Sequence, residues 1–72
     1  MKEKEIIKNQ VYSLRIANNV TQEDLAAAVG VSRQTIIALE KGNYTPSILL
    51  ALKIADFFKV SVEKIFNIHY EK

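Results

Sequence analysis

Arg33 and Gln34 sit side by side at the start of a short amphipathic pattern, RQTIIALEK, whose polar members are the types that read hydrogen-bond edges. At about 100° per residue, Ile36 and Leu39 fall on one side with Thr35 flanking them, and Arg33, Gln34, Ile37, Ala38 and Lys41 fall on the other. A guanidinium can pair bidentately with guanine O6 and N7, a carboxamide with adenine N6 and N7, and a small or aliphatic side chain can touch the thymine methyl. A face meant only to be wetted would seldom carry Ile37. The chemistry on offer is therefore base reading in a major groove, and it requires that this helix be held with its other side buried.

The preceding residues supply that hold. Thr21 with Asp24 three residues on forms an N-cap arrangement, in which the threonine oxygen accepts a free backbone N–H and the acid sits at the positive helix end. The pattern predicts a helix over Gln22–Val29, with Leu25, Ala26 and Val29 on one face and Ala26 small enough for a close crossing. Gly30 tolerates the left-handed conformation that stops a helix, Val31 offers a buried anchor, and Ser32 caps the next helix. Two helices joined by so short a turn make a helix-turn-helix.

The rest of the chain reads as scaffold. Asn9 is expected to cap a first helix through about Asn18, with Val11, Leu14 and Ile16 inward, and Val20 to staple the entry to the next helix. After Gly42 the NYTPS stretch is a loop, a helix starts at Pro46 or Ser47 and runs to about Phe58, and Ser61 caps a last short helix over Val62–Phe66. The expected fold is all-α, a five-helix orthogonal bundle in one domain spanning residues 1–72, with the motif at 21–42. Residues 6–8 and 66–70 could pair as a short two-stranded antiparallel sheet, since the second segment alternates with period two; by periodicity the first could equally extend the first helix.

Composition limits the alternatives. The 72 residues, 49% of them hydrophobic, allow one small domain that is marginal without close packing or oligomerisation. The absence of cysteine excludes disulfides and thiolate metal sites, and His69 alone cannot build a metal cluster. No glycine-rich phosphate loop, nucleophile with a partnering histidine, or acid pair points to an enzyme, and no cofactor or small-molecule effector is indicated. The N-terminal MKEKEIIKNQ has no apolar core of a signal peptide and no segment is long enough to span a bilayer, so a cytoplasmic location without membrane association is expected. Charge gives little support to nucleic-acid binding. The net charge is +2, and from Thr21 to Pro46 two basic residues face three acids. Affinity must come from a few directed contacts and from helix N-termini and backbone N–H groups at phosphates, which argues for a dimer.

The spacing of Ala26, Gly30, Ile36 and Leu39, and the longer run VSRQTIIALEKGNYTPSILLALKIADFFKVSVEKIF, resemble the lambda-repressor/Cro or XRE family of helix-turn-helix regulators, in particular its small stand-alone members such as the cytolysin-repressor type. The resemblance covers residues 9–66. It implies a lambda-repressor-like bundle, favours the terminal strand pair, and implies double-stranded DNA as partner. It places Arg33, Gln34 and Ala38 at base edges, to which the wheel adds Ile37, and Gln22, Lys41, Asn43 and Tyr44 at the phosphate backbone, where Ser32 is also expected, and it implies a structural ion pair between Arg15 and Glu40. Lys53, Asp56 and Lys59 read as a solvated strip. Apolar residues cover about 220° of the wheel of the fourth helix, wider than a surface helix needs, so part of it is expected to meet a second subunit. By resemblance Thr45 and Val62 join that dimer interface. The expectation is a homodimeric repressor on a roughly palindromic operator, there being no evident second domain for an effector; the alternative is an interaction module, such as an antitoxin, that grips a protein through the Ile37–Ala38 face.

Overall fold

The computed structural model describes residues 4–71. In chain order it contains β1 (Lys4–Asn9), α1 (Val11–Ala17), α2 (Gln22–Val29), α3 (Arg33–Glu40), α4 (Ile48–Phe58), α5 (Val62–Ile65) and β2 (Phe66–Glu71). The five helices form a bundle, and β1 and β2 close the chain as an antiparallel ribbon with Ile7 opposite Ile68 and Asn9 opposite Phe66. The N-terminal segment is thus a strand. The pairing with β2 settles what periodicity left open, because the period-two alternation of the C-terminal segment supplies a partner that a helix could not use.

The core joins all five helices through Val11, Leu25, Val29, Ile36, Leu39, Ile54 and Ile65, with Leu14, Val20, Val31 and Phe58 packed against it. Ile16 is exposed, contrary to the inward placement expected for it. It lies one residue beyond Arg15, and Arg15 is the side chain that turns into the bundle, so the neighbouring position is rotated out. Asn9 is not the N-cap of α1. That position is Gln10, whose side chain makes no capping bond, while Asn9 ends β1; its Oδ1 accepts from Val11 N–H at 3.1 Å and its Nδ2 donates to the Leu39 carbonyl at 2.9 Å. Asn9 therefore ties the ribbon to the end of α3. Ser61 holds the N-cap position of α5 but its hydroxyl caps nothing, and that helix ends at Ile65 because Phe66 already belongs to β2.

Four helices stop the same way, the first being α1, where Asn19 adopts φ 56° and Val20 N–H reaches back to the Arg15 carbonyl at 2.9 Å. Gly30 after α2 and Gly42 after α3 adopt φ of 77° and 82°, and the next residue's N–H reaches back: Val31 to the Ala26 carbonyl at 3.0 Å and Asn43 to the Ala38 carbonyl at 2.9 Å. Space for a Cβ exists at both glycines, so the requirement there is the left-handed backbone alone. α4 ends on Lys59 at φ 59°, with Val60 N–H on the Ala55 carbonyl at 3.1 Å, and here a side chain bears the left-handed strain. Lys59→Gly is expected to raise stability by about 0.5–1 kcal/mol and Gly30→Ala to lower it by about 1–2 kcal/mol. Urea unfolding monitored by circular dichroism measures both.

Candidate nucleic-acid interface

The roll of α3 about its axis decides which side chains are presented. Ser32 Oγ accepts from Thr35 N–H at 3.2 Å and starts the helix cleanly, and Ile36 and Leu39, essentially without solvent exposure, fix its inner side. Arg33 and Gln34 then stand exposed on the first turn and Lys41 at the end. Ile37 and Ala38 are half-buried, less presented than the helical wheel predicts. The hydrogen bond from Asn43 N–H to the Ala38 carbonyl closes the turn after Gly42 at the end of the helix. Ser32, Asn43 and Tyr44 are exposed around the two ends of α3, and Gln22 is half-buried at the start of α2.

Behind this face lies a chain of polar contacts. Arg15, buried, donates from Nε to Glu40 Oε2 at 2.6 Å and from Nη2 to Oε1 at 3.0 Å, and its Nη1 donates to the Val20 carbonyl at 3.0 Å. Its guanidinium also stands 5.4 Å from the Tyr12 ring centroid. Both members of the ion pair keep under a tenth of their side-chain exposure. The hydrogen bonds to Glu40 push the Arg15 pKa up, with the nearby carboxylate charge adding to the rise, against burial, which would lower it. The guanidinium therefore stays charged through the whole neutral range. Glu40 Oε1 takes a further hydrogen bond from Gln22 Nε2 at 3.2 Å, and Gln22 Oε1 accepts from Arg33 Nε at 3.4 Å. Four side chains on three helices thus run in series from the buried pair to the exposed arginine. The residues were visible in the sequence as a structural ion pair and as separate contact residues; that Glu40 also orients Gln22, and through it Arg33, depends on a fold-dependent approach that spacing does not reveal.

The electrostatic balance of the motif also changes. Counted along residues 21–46 the acids exceed the basic residues by one, but the charge of Glu40 is neutralised by Arg15, which lies outside that stretch. Glu23 and Asp24 sit in the first turn of α2, where Asp24 completes a capping box with Thr21. The exposed cations Arg33 and Lys41 are left on and beside α3, a local arrangement friendlier to phosphate than the net count implies. Among the described residues there is no helix long and apolar enough to cross a membrane.

A family model described as helix-turn-helix matches residues 11–65. An HTH-type transcriptional regulator of Methanocaldococcus jannaschii is 60% identical over 60 residues, covering 83% of this chain and 91% of that protein. The transcriptional repressor RstR of the cryptic phage CTXphi in Vibrio cholerae is 28% identical over 62 residues, 86% of this chain and 56% of its own length. Among solved structures, the restriction-modification controller protein of Aeromonas hydrophila is similar with a TM-score of 0.72 at 27% identity, over 76% of this chain and 83% of that one.

Removing one member of a buried pair strands the other without compensation, which costs about 3–5 kcal/mol. Arg15→Ala and Glu40→Ala are each expected to lose that much in urea unfolding, and the double variant to lose clearly less than the two combined. Additive losses would show that the pair is not coupled.

Proposed function

Because the chain belongs to the XRE-type helix-turn-helix family of DNA-binding transcriptional regulators, a non-enzymatic family, we propose that it reads a specific duplex sequence through the first turn of α3 and represses transcription as a homodimer in the cytoplasm. The observation that carries this reading is the pairing of Arg33 and Gln34, both exposed, on a helix whose roll is fixed by the buried Ile36 and Leu39. Arg33, which can donate twice, beside Gln34, which can donate and accept, on a helix with one side locked is suited to neighbouring base edges in the major groove. Ile37 and Ala38, half-buried, supply a low apolar shoulder that lets the helix approach the bases. Gln22, Ser32, Lys41, Asn43 and Tyr44 surround the ends of α2 and α3 and take phosphates, where helix N-termini and neutral donors compensate for the low count of basic residues.

A single domain of this charge binds weakly, and two-fold symmetry supplies the remaining affinity. A dimer about Thr45, the first turns of α4 and the edge of α5 near Val62 would set two copies of α3 about 34–36 Å apart, one helical turn of DNA. Thr45 is exposed, whereas Val62 is half-buried against its own core and contributes at the rim. Repression is supported by the likeness to the phage repressor. The antitoxin alternative would use the same Ile37–Ala38 face, which is half-buried.

Selection of a preferred duplex from a random pool is expected to return a roughly palindromic sequence whose binding weakens steeply between about 50 and 200 mM salt. On that duplex Arg33→Ala should cost about 1–3 kcal/mol and relax discrimination at one base position per half-site, while Lys41→Ala should weaken all duplexes alike. Competition binding with single-base operator variants reads both effects. No selected consensus, or unchanged selectivity in Arg33→Ala, would sink the direct-reading assignment.

A further inference from the structure

The ribbon carries an apolar face that its own bundle leaves bare. Residues directly opposite in an antiparallel pair project to the same side, so Glu5, Ile7 and Asn9 share one face with Tyr70, Ile68 and Phe66. At its inner end this face meets the bundle, through Phe66 packed on the core and Asn9 bonded to the Leu39 carbonyl. Toward the tip the same face continues into solvent, where Ile68 is 62% exposed, Tyr70 50% and Ile7 40%. The opposite face bears Lys8, Asn67 and His69 beside Ile6. An isolated two-stranded ribbon is marginal in water, and the apolar side of this one has too little bundle beneath it to bury. Dimensions of 42 × 23 × 22 Å fit a ribbon about 20 Å long standing off a compact set of helices.

A second bare surface adjoins it. Tyr44 and Thr45 line one groove with Ile7 and Ile68, and three residues further on α4 begins with Ile48, 81% exposed, followed by Leu49 and Leu52 on the same stripe. We propose that the ribbon face and the start of α4 form one continuous surface that packs on a second copy of this chain, so that the ribbon is part of the dimer interface and not an appendage beside it. The inference rests on the homodimer reading and extends it to residues the sequence did not mark. Area supports this occupant. With roughly 200 Å² for a fully exposed large side chain, Ile7, Ile48, Leu49, Leu52, Ile68 and Tyr70 offer roughly 600–700 Å², close to the ~800 Å² per partner of a standard interface. Charge supports it too, because the groove is edged by Glu5, Lys8 and Lys41, both signs on one surface, as a self-complementary two-fold contact requires.

The test is mass in solution by light scattering and sedimentation, from micromolar to submillimolar concentration, on the parent, Ile68→Lys, Ile68→Thr and Ile48→Lys, with Ile16→Lys as an exposed control on α1. Ile68→Thr removes apolar area while keeping strand propensity, so it separates loss of contact from loss of the ribbon. A dimeric parent, with both Ile68 variants and Ile48→Lys weakened about tenfold or more at unchanged helical circular dichroism and Ile16→Lys unaffected, is the expected result. If the parent is a dimer and Ile48→Lys dissociates it while both Ile68 variants associate like the parent, the ribbon inference is overturned and the homodimer reading stands. A parent that stays monomeric throughout overturns both and leaves the face to a different chain.

Discussion

The buried ion pair between Arg15 and Glu40 is the constraint around which the rest of the molecule is arranged. Hydrophobic contact is non-directional, and helices as short as α1, α2 and α3 could slide or roll against one another at little cost if Leu25, Ile36 and Leu39 were all that held them. A desolvated guanidinium tolerates no such freedom. Each charge loses several kcal/mol of hydration and recovers it only if every donor finds its acceptor at once. Arg15 meets that demand with two bonds to Glu40 and one to the Val20 carbonyl, and Glu40 with a further bond from Gln22. Satisfying both ions therefore fixes α1, the turn before α2, the first residue of α2 and the last of α3 in a single geometry.

That geometry matters because the face it positions has few charges to spend. A protein that neutralises many phosphates can be imprecise, since counterion release rewards any close approach. This motif cannot rely on that. With Arg33 and Lys41 as the exposed cations of residues 21–46, and Glu23 and Asp24 committed to the start of α2, bulk attraction is small. What remains is direction: donors set in advance, with less side-chain entropy to lose on contact. The 3.4 Å bond from Arg33 Nε to Gln22 acts in this sense, because it restrains a long side chain through Nε alone. The buried ion pair and the exposed Arg33 are thus linked through one glutamine.

Much of this was legible in the sequence, and the exceptions share a cause. The caps at Thr21 and Ser32, the left-handed stop at Gly30, and the buried pairs Leu25 with Val29 and Ile36 with Leu39 are set by local chemistry and helical period. A wheel captures those. It does not capture contacts made from elsewhere: the Asn43 N–H on the Ala38 carbonyl, or the Asn9 side chain that accepts from Val11 N–H and also donates to the Leu39 carbonyl. Ile16 misled for a related reason, because the inward position on α1 belongs to a charged residue and hydrophobicity alone pointed to its neighbour. The strand at residues 4–9 was ambiguous because it needs a partner some sixty positions away. As for the contact face, Arg33 and Gln34 were recognisable as exposed from periodicity, whereas the relay through Gln22 and Glu40 exists only once three helices meet.

Asn9 gives the ribbon a mechanical connection to α3. Its amide donates to the carbonyl of Leu39, the last fully buried residue of α3, and the neighbouring Gln10 N–H donates to the Ile65 carbonyl where α5 turns into β2. Two hydrogen bonds thus anchor the root of the ribbon to the ends of α3 and α5. In a domain this small the margin of stability is a few kcal/mol, so ordering at one end is felt at the other. The root of the ribbon holds the Leu39 carbonyl, and the next residue is Glu40. Glu40 is the acceptor that fixes Gln22. Asn9, Leu39, Glu40, Gln22 and Arg33 are thus joined by a continuous set of bonded neighbours from the root of the ribbon to the exposed arginine.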